Sequence, residues 1–235
     1  MKEWLLRLAA AFALLTALRA PASAVEEKGV QAGGVNAVLI QPRAPRASVI
    51  LLAGGDGVLG IDGAGRITRL QENQLVRTRA AYAARGFAVL VPDAGYDLSG
   101  LVAYMAAIKR PVAVVATSRG TYRAAQGVAS GARPDRLILT SAELSPESGG
   151  GESVMGALGS PDALPPTLVV HHRDDGCHVT SPAGVAPFVA WAKGKARVVW
   201  LSGGGDEGEP CQAMAHHGFN GLDGRVVSVV SSFVR

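Results

Sequence analysis

Six short apolar runs constrain this chain most. SVILLA (48–53), FAVLV (87–91), VAVVA (112–116), RLILT (136–140), TLVVH (167–171) and RVVWL (197–201) are rich in Val, Ile and Leu and do not alternate with polar residues. A strand with one wet face alternates, whereas a strand covered on both faces does not. Double coverage is typical of a parallel sheet layered with helices. Helical patterns lie between the runs, near residues 69–85, 98–109, 119–130 and 184–194, with a last one near 223–234. The last is ambiguous, because VVSVVSSFV is β-branched enough to pass for a strand. Strand and helix in alternation, joined by right-handed crossovers, predict an α/β fold with a doubly wound, mostly parallel sheet flanked by helices. VNAVLIQP (35–42) precedes the set and reads as an antiparallel edge strand. The Gly/Ser-rich stretch SPESGGGES (145–153) reads as a mobile surface loop near the top edge of the sheet.

The first residues follow a different logic. Lys2 and Arg7 give a positive start, LAAAFALLTAL supplies a short apolar run, and Ala22-Ser23-Ala24 is a small-x-small cleavage pattern. Residues 1–24 therefore read as a secretory signal peptide rather than a membrane anchor, since the run stops at Arg19 and Pro21. Residues 25–235 remain as one domain of about 211 residues, enough for a substantial core. Losing Lys2, Arg7 and Arg19 against Glu3 lowers the net charge of +4 by two, to about +2. The remaining cations are scattered without aromatic interleaving, which excludes an obvious nucleic-acid surface. No later segment is long and apolar enough to span a bilayer, so the expectation is a periplasmic or secreted protein with no membrane contact after cleavage.

VAVVATSRGT (112–121) carries the first chemical signal. A strand runs into Ser118 and a helix follows, with small residues two before (Ala116) and two after (Gly120). Bulk at either place would strike the flanking strand and helix, which is why a nucleophile elbow reads Gly-x-Ser-x-Gly. Ala116 replaces the first glycine, and an ordinary turn with an N-capping serine stays open as the alternative.

Open parallel sheets place their chemistry at the carboxyl ends of the strands. After TLVVH come Asp174 and Asp175; after RVVWL come His216 and His217. Serine, then acid, then histidine is the chain order of a hydrolytic triad on this architecture, in which imidazole takes the serine proton and carboxylate orients the imidazole. Cys177 and Cys211 are an even pair in an exported chain, hence a predicted disulfide closing a loop of about 33 residues, worth about 3–4 kcal/mol. Such a bridge requires the acid loop and the histidine loop to be neighbours. The rival is a metal held by Cys177, His178, Cys211, His216 and His217, but the paired spacings of common zinc sites are missing.

With these residues in view, the whole of 25–235 resembles the α/β-hydrolase superfamily, particularly small lidless esterases and dienelactone-hydrolase-like members. The elbow ATSRGT, the acid loop VVHHRDDGC and the terminal HHGF carry the resemblance. It implies Asp175 as the acid, with Asp174 as fallback, and His217 as the base rather than His216. It also implies an oxyanion hole from the backbone N–H groups of Arg119 and Gly55, with Asp56 the alternative second donor. The implied function is an exported, cofactor-free serine hydrolase, carboxylesterase-like, cleaving small-molecule esters through an acyl-enzyme.

Rivals remain. Gly55-Asp56-Gly57-Val58-Leu59-Gly60 fits the Gly-x-Gly-x-x-Gly dinucleotide fingerprint, yet IDGAGRIT follows instead of a helix, and the next strand's acid, Asp93, comes late. A peptidase or acyltransferase would use the same triad, and a ligand- or partner-binding protein of this fold would use none of it. Arg119 and Arg123 offer cations for an anionic substrate, although arginines on a helix surface are usually solvated.

Overall fold

The computed structural model describes residues 26–235; the expected signal segment, 1–24, lies outside them. Eight strands form one sheet: β1 (Glu27–Ala32), β2 (Val35–Ile40), β3 (Ala47–Leu52), β4 (Phe87–Pro92), β5 (Val112–Ser118), β6 (Arg136–Ala142), β7 (Thr167–His172) and β8 (Ala196–Leu201). Their order is β1-β2-β4-β3-β5-β6-β7-β8. Strands β3 to β8 are mutually parallel, while β2 runs antiparallel to β4 and β1 antiparallel to β2.

The lack of alternation has its cause here. In β3, Ile50 and Leu52 face one hydrophobic layer with Leu101 and Met105, and Val49 and Leu51 face a second layer with Leu75 and Val230. Helices α2 (Leu98–Ile108), α3 (Arg119–Ala129), α4 (Val154–Leu158) and α5 (Val185–Trp191) cover the first face; α1 (Gln74–Ala84) and α6 (Asp223–Val234) cover the second. No described helix is long and apolar enough to cross a membrane.

Three expectations need correction, and the ambiguous tail is resolved. VNAVLI is antiparallel but not an edge, because β1 caps it through a hairpin at Gly33 and Gly34, whose φ values of +57° and +83° suit glycine. EKGVQA has only Val30 and Ala32 to advertise it. The first helix begins at Gln74 rather than 69, with the Asn73 side chain accepting the Leu75 N–H as N-cap. The β-branched tail is helix α6, as the pattern near 223–234 predicts, and not a strand: Val226, Val227, Val230 and Val234 recur at helical spacing and are buried, so packing overrides propensity.

The third correction matters most for the site. Residues 145–153 do not form a loose loop. Ser145, Ser148 and Ser153 are buried, Ser148 Oγ accepts the Leu144 and Ser145 N–H groups, and Gly149 bridges to Thr180. A Cβ on Gly149 would lie 2.2 Å from the His178 carbonyl oxygen. Small residues here permit close packing against the loop after β7.

Strand order reverses beside β3, with β4 on one side and β5 on the other. The crevice beyond the carboxyl ends of β3 and β5 is where such sheets bind ligands.

Candidate active site

Ser118 ends β5 and precedes α3 with φ +52° and ψ −133°, a backbone conformation that L-residues rarely adopt. It stands at the helix N-cap position, yet its side chain makes no capping hydrogen bond. The capping alternative therefore fails, and the hydroxyl is available. The neighbours explain the small residues around it. A Cβ on Gly120 would lie 2.5 Å from Ala53 O and 2.6 Å from Leu52 O, and one on Gly54 would lie 2.9 Å from Ser118 Cβ. Ala116, in the strand core, is accommodated where the pattern has glycine.

Of the four acid–histidine combinations, one is assembled. Asp175 Oδ2 lies 3.1 Å from His217 Nδ1, with both residues buried. Asp174 is exposed, and His216 Nδ1 lies near the Asp174 carbonyl (3.3 Å) and the Asp206 carboxylate (3.6 Å), with its ring stacked on His172. Cys177 N–H donates to Asp175 Oδ1 (3.0 Å). Burial would raise the Asp175 pKa, but the His217 hydrogen bond and charge, helped by the Cys177 N–H and by His171, outweigh it and hold the carboxyl below its ordinary value. The acid is thus ionised wherever the protein is near neutral pH.

Ser118 and His217 line one cavity of about 300 Å³, with Gly54, Gly55 and Cys211 on its wall. Because His217 Nδ1 is turned to the acid, Nε2 is the nitrogen left for the hydroxyl side. That arrangement can pass a proton from a serine to an imidazole.

No family model matches the chain, and no curated protein matches it in sequence. Solved structures do match. A Thermus thermophilus protein superposes with TM-score 0.60 at 18% identity, over 90% of this chain and 98% of its own. An alpha-beta serine hydrolase homologue from Coxiella burnetii gives 0.59 at 16% identity, over 89% and 97%. The esterase domain of a Rhodothermus marinus protein gives 0.61 at 13%, over 88% and 96%. The chain has the α/β-hydrolase fold.

The loop after β3 lies beside Ser118, with the Gly54 backbone against its Cβ. The N–H groups of Gly54, Gly55 and Asp56 have no hydrogen-bond partner among the described residues. The dinucleotide reading of the same loop does not hold. The chain stays irregular through Gly60, and Asp93 spends its carboxylate on the Leu59, Ile61 and Ala94 N–H groups (2.7, 2.9 and 2.9 Å). Asp56 accepts the Val58 N–H and pairs with Arg69.

Cys177 and Cys211 form a disulfide with a Cα–Cα distance of 4.5 Å, joining the acid loop to the histidine loop. The sulfurs are bonded to each other, which consumes the thiolates that a metal would need. His178 alone joins them within ligand distance, and His216 and His217 stand outside the cluster.

Several residues escaped the sequence reading. Thr180 Oγ1 donates to Asp175 Oδ2 (3.1 Å) and lies 3.0 Å from His217 Nδ1, bracing the pair. Ser141 Oγ donates to the His217 carbonyl (2.7 Å). Arg77 donates to the Gly218 carbonyl (2.7 Å) and pairs with Asp223, fastening the histidine loop to α1 and α6. His171 is fully buried 4.0 Å from Asp175, and burial pushes its pKa down. Glu143, just beyond β6, is buried with Oε2 unpartnered, and burial pushes its pKa up despite nearby Arg119. No motif marks these side chains: Ser141 and Arg77 act across more than 70 residues, Thr180 and His171 lie within five residues of Asp175 on irregular or strand-end chain where no periodicity pairs them, and Glu143 stands out by burial alone. Of the two arginines beside the elbow, Arg119 pairs with Glu152 at 3.0 Å and Arg123 turns inward onto backbone carbonyls.

Proposed function

We propose that this chain is a serine hydrolase of small ester substrates. Ser118 Oγ attacks the ester carbonyl carbon while His217 Nε2 takes its proton, and Asp175 stabilises the resulting imidazolium. The carbonyl oxygen, now negative, accepts hydrogen bonds from the Arg119 and Gly55 N–H groups, each worth about 3 kcal/mol in such sites. Collapse expels the alcohol, which takes the proton from His217. Water then gives a proton to His217, attacks the acyl carbon, and releases the acid as the proton returns to Ser118.

The observation that carries this reading is the buried 3.1 Å contact of Asp175 with His217 on the cavity that also holds an uncapped, strained Ser118. The site of about 300 Å³ is at the small end of ligand pockets, which favours short acyl and alcohol groups. The apolar leader of the sequence and the disulfide support an exported, oxidising location, periplasmic or secreted.

The test is labelling by a fluorophosphonate probe, wild type beside Ser118→Ala, followed by a panel of p-nitrophenyl esters. Labelling lost only in the variant, with turnover of short esters, is the expected result. A folded wild type that resists the probe would remove the nucleophile and leave a binding protein. Labelling with peptide or acyl-acceptor turnover alone would reassign the substrate to a peptidase or acyltransferase reaction.

A further inference from the structure

Arg123, on the first turns of α3, has no carboxylate partner among the described residues. Its guanidinium instead grips the loop after β3. Nη2 donates to the Ala53 carbonyl (2.7 Å) and approaches that of Gly54 (3.5 Å), and Nη1 donates to the Gly55 carbonyl (2.8 Å). The packing is close, since a Cβ on Gly57 would lie 2.9 Å from Nη2.

Peptide planarity turns this grip into a constraint on donors. In a trans peptide the C=O and the following N–H point to opposite sides. Carbonyls of Ala53 and Gly55 drawn to Arg123 therefore turn the Gly54 and Asp56 N–H groups away from it. The Gly54 carbonyl, which also accepts the Gly57 N–H (3.1 Å), does the same for the Gly55 N–H. All three amides are without a partner among the described residues, and Gly54 and Gly55 line the cavity with Ser118. The loop is rich in glycine and has no helix or strand to hold its peptide planes, so the orientation needs an outside cause. A planar fork with separated donors can span two carbonyls at once; an ammonium is a point charge and cannot reproduce the fork.

We propose that Arg123 is a positioning residue that fixes the peptide planes of residues 53–57, keeping the Gly55 N–H and its neighbours aimed at the space above Ser118, while its charge polarises those peptides toward a developing anion. The kinetic part rests on the serine-hydrolase reading; the hold on the loop does not. Arg123 also lines a second cavity of about 400 Å³ with Tyr96, Gln126 and Ser130, so a small cation can reach its place from solvent.

The experiment compares wild type, Arg123→Lys and Arg123→Ala by amide hydrogen exchange and by ester kinetics. Expected are about tenfold faster exchange at the Gly57 and Val58 N–H groups, whose bonds to the Gly54 carbonyl and the Asp56 carboxylate depend on the held loop, and kcat lowered about 10- to 100-fold in Arg123→Ala with KM within twofold. Arg123→Lys should lose less, and millimolar guanidinium should restore part of the activity of Arg123→Ala without affecting wild type. Unchanged exchange in the loop, or kcat within twofold of wild type, would overturn the proposal. Faster loop exchange in a protein whose wild type resists the fluorophosphonate probe would establish the hold on the loop and remove the hydrolase reading instead. Should Arg123→Ala not fold, Arg123→Lys carries both measurements.

Discussion

At Ser118 the constraints are short in sequence or act between adjacent strands. The φ of +52°, the Gly120 backbone against the Ala53 and Leu52 carbonyls, and the Gly54 backbone against Ser118 Cβ all belong to β3, β5 and the start of α3. Across the cavity, Asp175 and His217 are 42 residues apart, Asp175 on a turn after β7 and His217 in a single 3-10 turn of a long loop. They meet because the 177–211 disulfide, Thr180, Ser141 and Arg77 tie their loops together and to the body of the protein. A serine can be positioned by steric exclusion in a rigid sheet, whereas an acid–base pair on loops needs cross-links that offset the entropy of ordering them.

Breaking the steric side and removing the cross-link should have the two largest effects, of similar size. Gly120→Ala places a Cβ within 2.5 Å of a backbone oxygen that cannot rotate away, and should cost about 3 kcal/mol of stability, read as a lower urea midpoint with unchanged slope. A variant as stable as wild type would mean that the elbow is looser than the packing implies.

Removing the cross-link comes next. Cys177→Ser with Cys211→Ser should cost about 3–4 kcal/mol and speed amide exchange at residues 174–180 and 206–218, while β5 and α3 keep their protection. Equal loss on both sides of the cavity would erase the distinction between them.

Thr180→Val sharpens the same side with a change of nearly equal volume. Without the hydroxyl, Asp175 loses one donor, so kcat should fall about tenfold with KM little changed and stability lower by about 1 kcal/mol. Steady-state kinetics on the best ester would check it, and an unchanged kcat would make Thr180 a packing residue only.

The smallest effect belongs to Glu143. Burial raises its folded pKa, so the native state holds that proton to higher pH than the unfolded chain does. Its contribution is complete below the ordinary value near 4.5 and is lost as pH rises through the higher folded value. Glu143→Gln should therefore melt a few degrees above wild type at pH 8 and match it near pH 4. A pH-independent difference would assign the effect to packing rather than to the buried charge.

How much of this was legible in the chain depends on how local each cause is. The six parallel strands announce themselves because burial on both faces removes alternation, and the turn at Ser118 because only small residues fit beside it. β1 was invisible, since EKGVQA offers only Val30 and Ala32 to the core and is otherwise held by hairpin pairing to β2. The stretch 145–153 was misread because serine and glycine serve close packing as well as solvent-exposed turns, and composition does not distinguish the two. Asp175 and His217 could be named only as members of adjacent pairs, Asp174/Asp175 and His216/His217, until resemblance ordered them. The arginines show the limit most clearly. Arg119 and Arg123 lie on the same exposed-looking helix start, yet one pairs with Glu152 and the other holds the loop after β3.

The sequence by itself determined the parallel sheet and the crevice at its carboxyl edge, and narrowed Ser118 to an elbow or a capped turn and the cysteines to a disulfide or a metal site, because each follows from nearest-neighbour sterics, periodic burial or covalent chemistry. Only the tertiary structure decided which acid meets which histidine, that Thr180 and Ser141 brace them, and that Arg123 turns inward. Those contacts join residues far apart in the chain, and their geometry exists only once the sheet has brought the loop ends together.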